Sequence, residues 1–364
     1  MSSVHPSTRI HRVPAAAPDD LSGLERLVAT GALDPSGILA ILGKTEGNGC
    51  VNDFTRGFAT RALADFLRAR IGNERAADVV LVMSGGTEGA LSPHWLVFER
   101  VEHGEGDAFP DGSLAIGTSV TRDVLPEEIG RAAQMDVVRS GVVDAMAAAG
   151  ITSVDDVHFV QVKCPLLTSA RIVAAAARGR SCAVSDTLKS MGLSRGASAL
   201  GIALALGELD AAAIFESAVG RDMNLFSRRA STSAGIELMG HEILVLGMSR
   251  GWRGPLAVGH AVMRDAIDAA AVQACLQGLG VPDGAGFEAL LAKAEASRTG
   301  LVRGARHTMN DDSDISATRH ARAFVGGMLA GLTGTTELFV SGGAEHQGPD
   351  GGGPVAVIVR RNAS

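Results

Sequence analysis

The five-residue pattern S-[G/A]-G-x-E occurs three times in this chain, as Ser84-Gly85-Gly86-Thr87-Glu88, Ser233-Ala234-Gly235-Ile236-Glu237 and Ser341-Gly342-Gly343-Ala344-Glu345. Across 364 residues this recurrence constrains the fold more than any single element, because an internal repeat sets the frame in which every other motif is read. The flanks recur as well. "DVVLVM" before Ser84 and "ELFV" before Ser341 are short, β-branched apolar runs of the buried-strand type. The second copy departs: "FSRRAST" precedes Ser233 and the strand-like "HEILVLGM" follows it, so its alignment is looser.

Each serine has an arginine upstream, in or near a helical pattern. Arg56 lies in "NDFTRGFATRALADFLRAR", where Asn52 or Asp53 can cap the helix and Phe54, Phe58, Phe66 and Leu67 are expected to form much of its apolar face. Arg195 precedes "GASALGIALALGEL", and Arg322 lies in "SDISATRHARAFVGGMLAGL". Further upstream comes a lysine: Lys44 in "ILAILGKTEGNG", Lys163 in "VHFVQVKCP", Lys293 in "FEALLAKAEASRTG". Each third of the chain therefore spells Lys, Arg, Ser. The polar, Gly-rich stretches 102–113 and 249–255 punctuate the sequence, and divide it into units 1–105, 106–252 and 253–364.

Composition narrows the function classes. A net charge of −7 without a Lys/Arg block, no tyrosine and only two tryptophans argue against nucleic acid as a partner. No uninterrupted apolar run approaches the length of a membrane span, and "MSSVHPSTRIHRVPAAAPDD" lacks the apolar stretch of a secretory signal. A cytoplasmic location is expected. The four cysteines have no C-x-x-C spacing, so they are expected reduced and mostly in the core. The ten histidines show no ligand pairing.

Three such triplets converging on one axis would build a pocket suited to a ligand of the same symmetry. Serine with lysine makes a nucleophile and base, since a neutral amine within hydrogen-bond reach can take the hydroxyl proton. Arginine offers a fixed fork of donors to carbonyl or anionic oxygens, and the S-[G/A]-G turn adds backbone N–H groups for an oxyanion. This combination implies acyl transfer, most simply hydrolysis of an amide or imide. A lysine that is neutral at pH 7 needs its pKa lowered by roughly 3–5 kcal/mol of desolvation, with no carboxylate beside it. Lys44 has Glu46 nearby and Lys293 has Glu295, whereas Lys163 is followed by Cys164 and Pro165. Lys163 is thus the expected base and Ser233 the expected nucleophile.

Six segments, "LGKTEGNGCVNDFTRG", "MSGGTEG", "VQVKCPLLT", "SRGASALG", "STSAGIELMGHE" and "ELFVSGGAEHQGPDGGGPVAVI", resemble the ring-opening amidohydrolases, the family of cyanuric acid hydrolases and barbiturases. The resemblance covers nearly the whole chain. It implies an α/β fold of three tandem repeats with pseudo-threefold symmetry around a central β-barrel-like core, helices outside. It also implies Ser233 and Lys163 as the catalytic dyad. Lys44, Lys293, Arg56, Arg195 and Arg322 would hold the ring, with Ser84-Gly85, Ser233-Ala234 and Ser341-Gly342.

By the same resemblance no cofactor takes part in catalysis. A structural divalent ion, magnesium or calcium, is implied at Glu295 with Ala344, Gln347, Gly348, Pro349 and Gly352, several through backbone carbonyls of the kind hard cations accept. A homotetramer is implied too. Three intact triplets favour the symmetric ring of cyanuric acid, opened to carboxybiuret and then biuret, over barbituric acid opened to ureidomalonate. Thr318 and the stretch to Arg322 are expected to bear on that choice. A non-catalytic protein that senses a small cyclic metabolite is the alternative of another class.

Overall fold

The protein is described by a computed structural model covering residues 5–102, 108–282, 284 and 286–361. The expected boundary near 105 lies outside the described residues. In the first third, β1 (Ser7–Pro14), α1 (Ser22–Ala29), β2 (Ile38–Thr45), α2 (Phe54–Ala77), β3 (Val80–Gly85) and β4 (His94–Val101) follow in order. The second third repeats the scheme with β5 (Ser113–Val120), α3 (Ala132–Ala149), β6 (Val157–Pro165), α4 (Ser169–Ala177), α5 (Thr187–Ala205), β7 (Ala230–Gly235) and β8 (Glu242–Ser249). The last third runs β9 (Leu256–Met263), α6 (Ala269–Gly278), β10 (Phe287–Ala294), a hairpin of β11 (Leu301–Val302) and β12 (Ala305–Arg306), α7 (Ala317–Thr333), β13 (Phe339–Gly342) and β14 (Gly353–Arg360).

The strands form three four-stranded sheets, ordered β1-β4-β2-β3, β5-β8-β6-β7 and β9-β14-β10-β13. This is a mixed α/β fold of three open sheets with one strand order, not the closed barrel-like core the sequence led us to expect. In each sheet one pair is parallel: β2 with β3, β6 with β7, β10 with β13. A parallel pair needs a long crossover, normally helical, and α2, α5 and α7 lie in the three crossovers. Each of these helices carries one of the three arginines in its sequence.

Leu42, Phe98, Phe159, Leu246, Leu290 and Val357, drawn from all three sheets, belong to one buried apolar cluster. Strands covered on both faces read as continuous apolar runs, and β2 and β6 are buried almost throughout. Ser231, Thr232 and Ser233 are also buried, so the weakly apolar "RRAST" still forms a strand, because α5 packs against β7.

Helix α2 corrects one expectation. Phe54 is 85% exposed and Phe58 53% exposed. The buried face instead runs Arg56, Ala59, Leu63, Phe66 and Leu67, a helical spacing that starts from the arginine. Asp53 caps the helix, accepting from the backbone N–H of Thr55 and Arg56, which fixes the turn from which Arg56 points inward. Of the cysteines only Cys164 is fully buried; Cys50, Cys182 and Cys275 are half-buried, and all four are free thiols.

Candidate active site

Each parallel strand pair sets a lysine opposite a serine in the same register: Lys44 with Ser84, Lys163 with Ser233, Lys293 with Ser341. Paired residues on neighbouring strands project to the same side of a sheet. The lysines stand on β2, β6 and β10, which are interior strands, and all three are fully buried, with the serines nearly so. Lys44 Nζ donates to Ser84 Oγ at 3.3 Å, and Lys293 Nζ to Ser341 Oγ at 3.2 Å. Ser233 Oγ is 3.2 Å from Ser341 Oγ, so two of the three serines touch.

The lysines also tie the sheets together. Lys44 Nζ donates to Val340 O at 2.7 Å, Lys293 Nζ to Thr232 O at 3.0 Å and Lys163 Nζ to Met83 O at 3.3 Å. Val340, Thr232 and Met83 each directly precede one of the serines. The first sheet therefore reaches the third, the third the second, and the second the first, closing a ring of hydrogen bonds.

The arginines make a second ring. Arg322 holds Glu88 through Nε to Oε2 at 3.0 Å and Nη2 to Oε1 at 2.6 Å. Arg195 holds Glu345 in the same way at 2.8 and 2.7 Å. Such two-pronged pairs fix both partners. Arg56 reaches the second sheet but takes Ala234 O at 3.1 Å, with Asp53 Oδ2 3.6 Å from its Nε. The glycines of the repeated loop follow from this crowding. Gly86 and Gly343 have φ of 97° and 76°, the region that favours glycine, and a Cβ at either would strike the guanidinium of Arg322 or Arg195 at 2.5 Å. The Gly86 N–H, expected to face an oxyanion, donates to Thr45 O at 2.8 Å.

Charge inside the site differs from the sequence expectation. Lys163, expected to be free of a neighbouring carboxylate, has Glu237 Oε1 2.6 Å from its Nζ. The acid sits four residues beyond Ser233 and is folded back by the loop, which sequence proximity does not show. Burial raises and Lys163 lowers the Glu237 pKa, the net being about 2. Glu46 is exposed and does not pair with Lys44. Burial, reinforced by Arg322, holds the Lys44 pKa well below the ordinary lysine value, and burial with Arg195 brings that of Lys293 down to about 7.

Residues 9–360 match the family described as amidohydrolase ring-opening protein. The chain belongs to that family. A cyanuric acid amidohydrolase of Azorhizobium caulinodans is 62% identical over 98% of this chain and 99% of its own length. A cyanuric acid amidohydrolase of Enterobacter cloacae is 49% identical over 97% and 99%. The crystal structure of the hydrolase from A. caulinodans superposes with a TM-score of 0.93 at 61% identity, covering 98% of this chain and 100% of that one. A second solved structure, a cyanuric acid hydrolase presented as evolutionary innovation by structural concatenation, gives a TM-score of 0.94 at 49% identity over 98% and 100%.

In this amidohydrolase, Glu295 lies beside the ring-binding candidates. With Ala344, Gly348 and Pro349 it lines a cavity of about 200 Å3. Its carboxylate accepts from Thr318 Oγ1 at 3.1 Å, so Thr318 serves Glu295. Of the implied ligand set only Glu295 has a side-chain carboxylate, the kind of oxygen a hard divalent cation takes. Gln347 turns its side chain elsewhere, accepting from Thr232 N at 2.6 Å and donating to Gly343 O at 3.1 Å. The Gly352 N–H donates to Pro349 O at 2.9 Å. Among the described residues no group of three or more His, Cys, Asp or Glu side chains is gathered as for a metal, and no helix is long and apolar enough to cross a membrane.

What the motif reading missed is the glutamate that ends each loop. It was part of the repeated pattern without a role. Its fixed place after each serine was the available signal, and its partner on a different third of the chain was not.

Proposed function

We propose that this amidohydrolase opens cyanuric acid by hydrolysis, with Ser233 as nucleophile and Lys163 as its base. The observation that carries the reading is the recurrence of one Lys–Ser register in three sheets, joined by the closed ring of lysine hydrogen bonds. The names of the full-length relatives support the substrate. A ring with three equivalent imide edges would meet three equivalent walls, so we take the three units, bounded near 105 and 253, to surround a pseudo-threefold axis.

Neutral Lys163 takes the Ser233 hydroxyl proton as Oγ bonds to a ring carbonyl carbon. The carbonyl oxygen gathers negative charge, which the arginine forks stabilise. When the C–N bond breaks, the departing ring nitrogen receives the proton from Lys163. Water, giving a proton back to Lys163, then attacks the acyl carbon and releases Ser233 as the alcohol. Carboxybiuret leaves and loses CO2 to give biuret. Ser84-Gly85, Ala234 and Ser341-Gly342 are taken to line the ring, with Lys44 and Lys293 fixing the walls between them.

Glu295 with carbonyls of Ala344, Gln347, Gly348, Pro349 and Gly352 would hold a divalent ion, which would neutralise a buried carboxylate and brace the last loop. The family resemblance supports a homotetramer, and the sequence reading a cytoplasmic location. The deciding assay offers purified protein cyanuric and barbituric acids side by side. Biuret formed from cyanuric acid is the expected result; preferential opening of barbituric acid would overturn the substrate assignment, and tight binding of the ring without turnover would make the protein a sensor.

A further inference from the structure

Only two of the three site arginines hold the glutamate of a repeated loop. Glu88 and Glu345 each sit on Nε and Nη2 of an arginine from another third of the chain. By that pattern Glu237 belongs on Arg56. It lies instead 2.6 Å from Lys163 Nζ. Arg56 Nε, the atom that grips a glutamate oxygen in both other pairs, is buried without a hydrogen-bond partner among the described residues. The lysines differ in the same place. Lys44 and Lys293 donate to their serines, whereas the hydrogen bonds of Lys163 go to Met83 O and Glu237.

We propose that Glu237 is a positioning residue with two seats, on Lys163 when the pocket is free and on Arg56 when the ring is bound. Seated on Lys163, it holds the amine turned from Ser233. Moving to Arg56, it completes the third arginine–glutamate pair and frees the Lys163 amine to face Ser233, as the other lysines face their serines. The short loop after Ser233 makes the exchange local: Gly235 brings the backbone so close to the carboxylate that a Cβ there would meet Glu237. The inference rests on the proposed roles of Ser233 and Lys163.

The charged groups around Lys163 are the carboxyls of Glu237 and Glu242 and, beyond Glu237, Arg56; the Cys164 thiol next on β6 projects to the opposite face. An anion beside an amine favours the protonated form, so a pH profile reports on the contact between Glu237 and Lys163. The test is the pH profile of kcat/KM for cyanuric acid with Glu237→Gln. Its acid limb should move down by about 1–3 pH units, while Glu88→Gln, which breaks the equivalent pair with Arg322, lowers activity and leaves the limb in place. An unmoved limb in Glu237→Gln, or an equal shift in both variants, overturns the proposal. A crystal structure of the unaltered protein with bound barbituric acid provides a second reading independent of variant folding. Glu237 on Arg56 Nε supports the proposal, and Glu237 still on Lys163 contradicts it. Ser233→Ala in the same assay reports separately on the reaction itself: retained turnover there defeats the nucleophile assignment, whatever Glu237 does.

Discussion

Lys293 donates from Nζ to the carbonyl oxygen of Thr232 at 3.0 Å, and the next residue along that strand is Ser233. A lysine of the third sheet thereby fixes the backbone that presents the proposed nucleophile of the second. We take its contribution to the reaction to be placement, because its own serine contact is with Ser341.

Lysine replacements should separate placement from proton transfer. Lys163→Met is expected to lower kcat by roughly 10²–10⁴-fold, the usual worth of a general base. Lys293→Met, which deletes a positioning hydrogen bond, should cost about tenfold. Steady-state kinetics on cyanuric acid measures both, and the reverse order would move the base to the third sheet.

The arginine ring has a structural price. Arg195→Met leaves Glu345 buried without its cation, and stranding one partner of a buried pair typically costs about 3–5 kcal/mol. Urea unfolding should show a loss of unfolding free energy of that size. A change under about 1 kcal/mol would mean that Glu345 finds other partners or takes up a proton.

Glu242 predicts a pH dependence. Burial pushes its pKa up from 4.5 to about 7, against the hydrogen bond from Leu81 N. The folded state therefore favours the protonated acid. That stability is complete below pH 4.5, the unfolded value, and is lost as pH rises through about 7. The whole effect is roughly 3 kcal/mol. Glu242→Gln should flatten the decline between those values, as thermal unfolding at several pH values would show.

Tight packing of helix on strand gives a fourth prediction. A Cβ on Gly117 in β5 would lie 2.7 Å from Ala149 N and 2.9 Å from Ala149 Cβ, beside the Ala145 carbonyl of α3. These are helix atoms that cannot swing away. Gly117→Ala should destabilise by about 1–3 kcal/mol, read from the denaturation midpoint, with KM little changed.

The triplets were legible because each lysine, arginine and serine lies within its own third of the sequence, and repeated spelling exposes repeated structure. Strand β7 was harder, since its buried positions carry Ser231 and Thr232 rather than valine. The apolar face of α2 was half read: Phe66 and Leu67 are buried as expected, but Phe54 and Phe58 are exposed and the inward row starts from Arg56. The environment of Lys163 could not be read from neighbouring letters: Glu237 is 74 residues away in sequence and reaches it only through the strand pairing of β6 with β7. The pairings Arg322–Glu88 and Arg195–Glu345 were hidden for the same reason, each crossing between thirds of the chain.

The central claim is that three similar serines enclose one pocket in which a single one attacks. The direct measurement is kcat and KM for cyanuric acid with Ser84→Ala, Ser233→Ala and Ser341→Ala, each shown to be folded. Ser233→Ala should lose about 10⁴-fold or more in kcat, with the other two changing chiefly KM. Equal, mild losses at all three serines, or the large loss at Ser84 or Ser341 instead, would contradict the account.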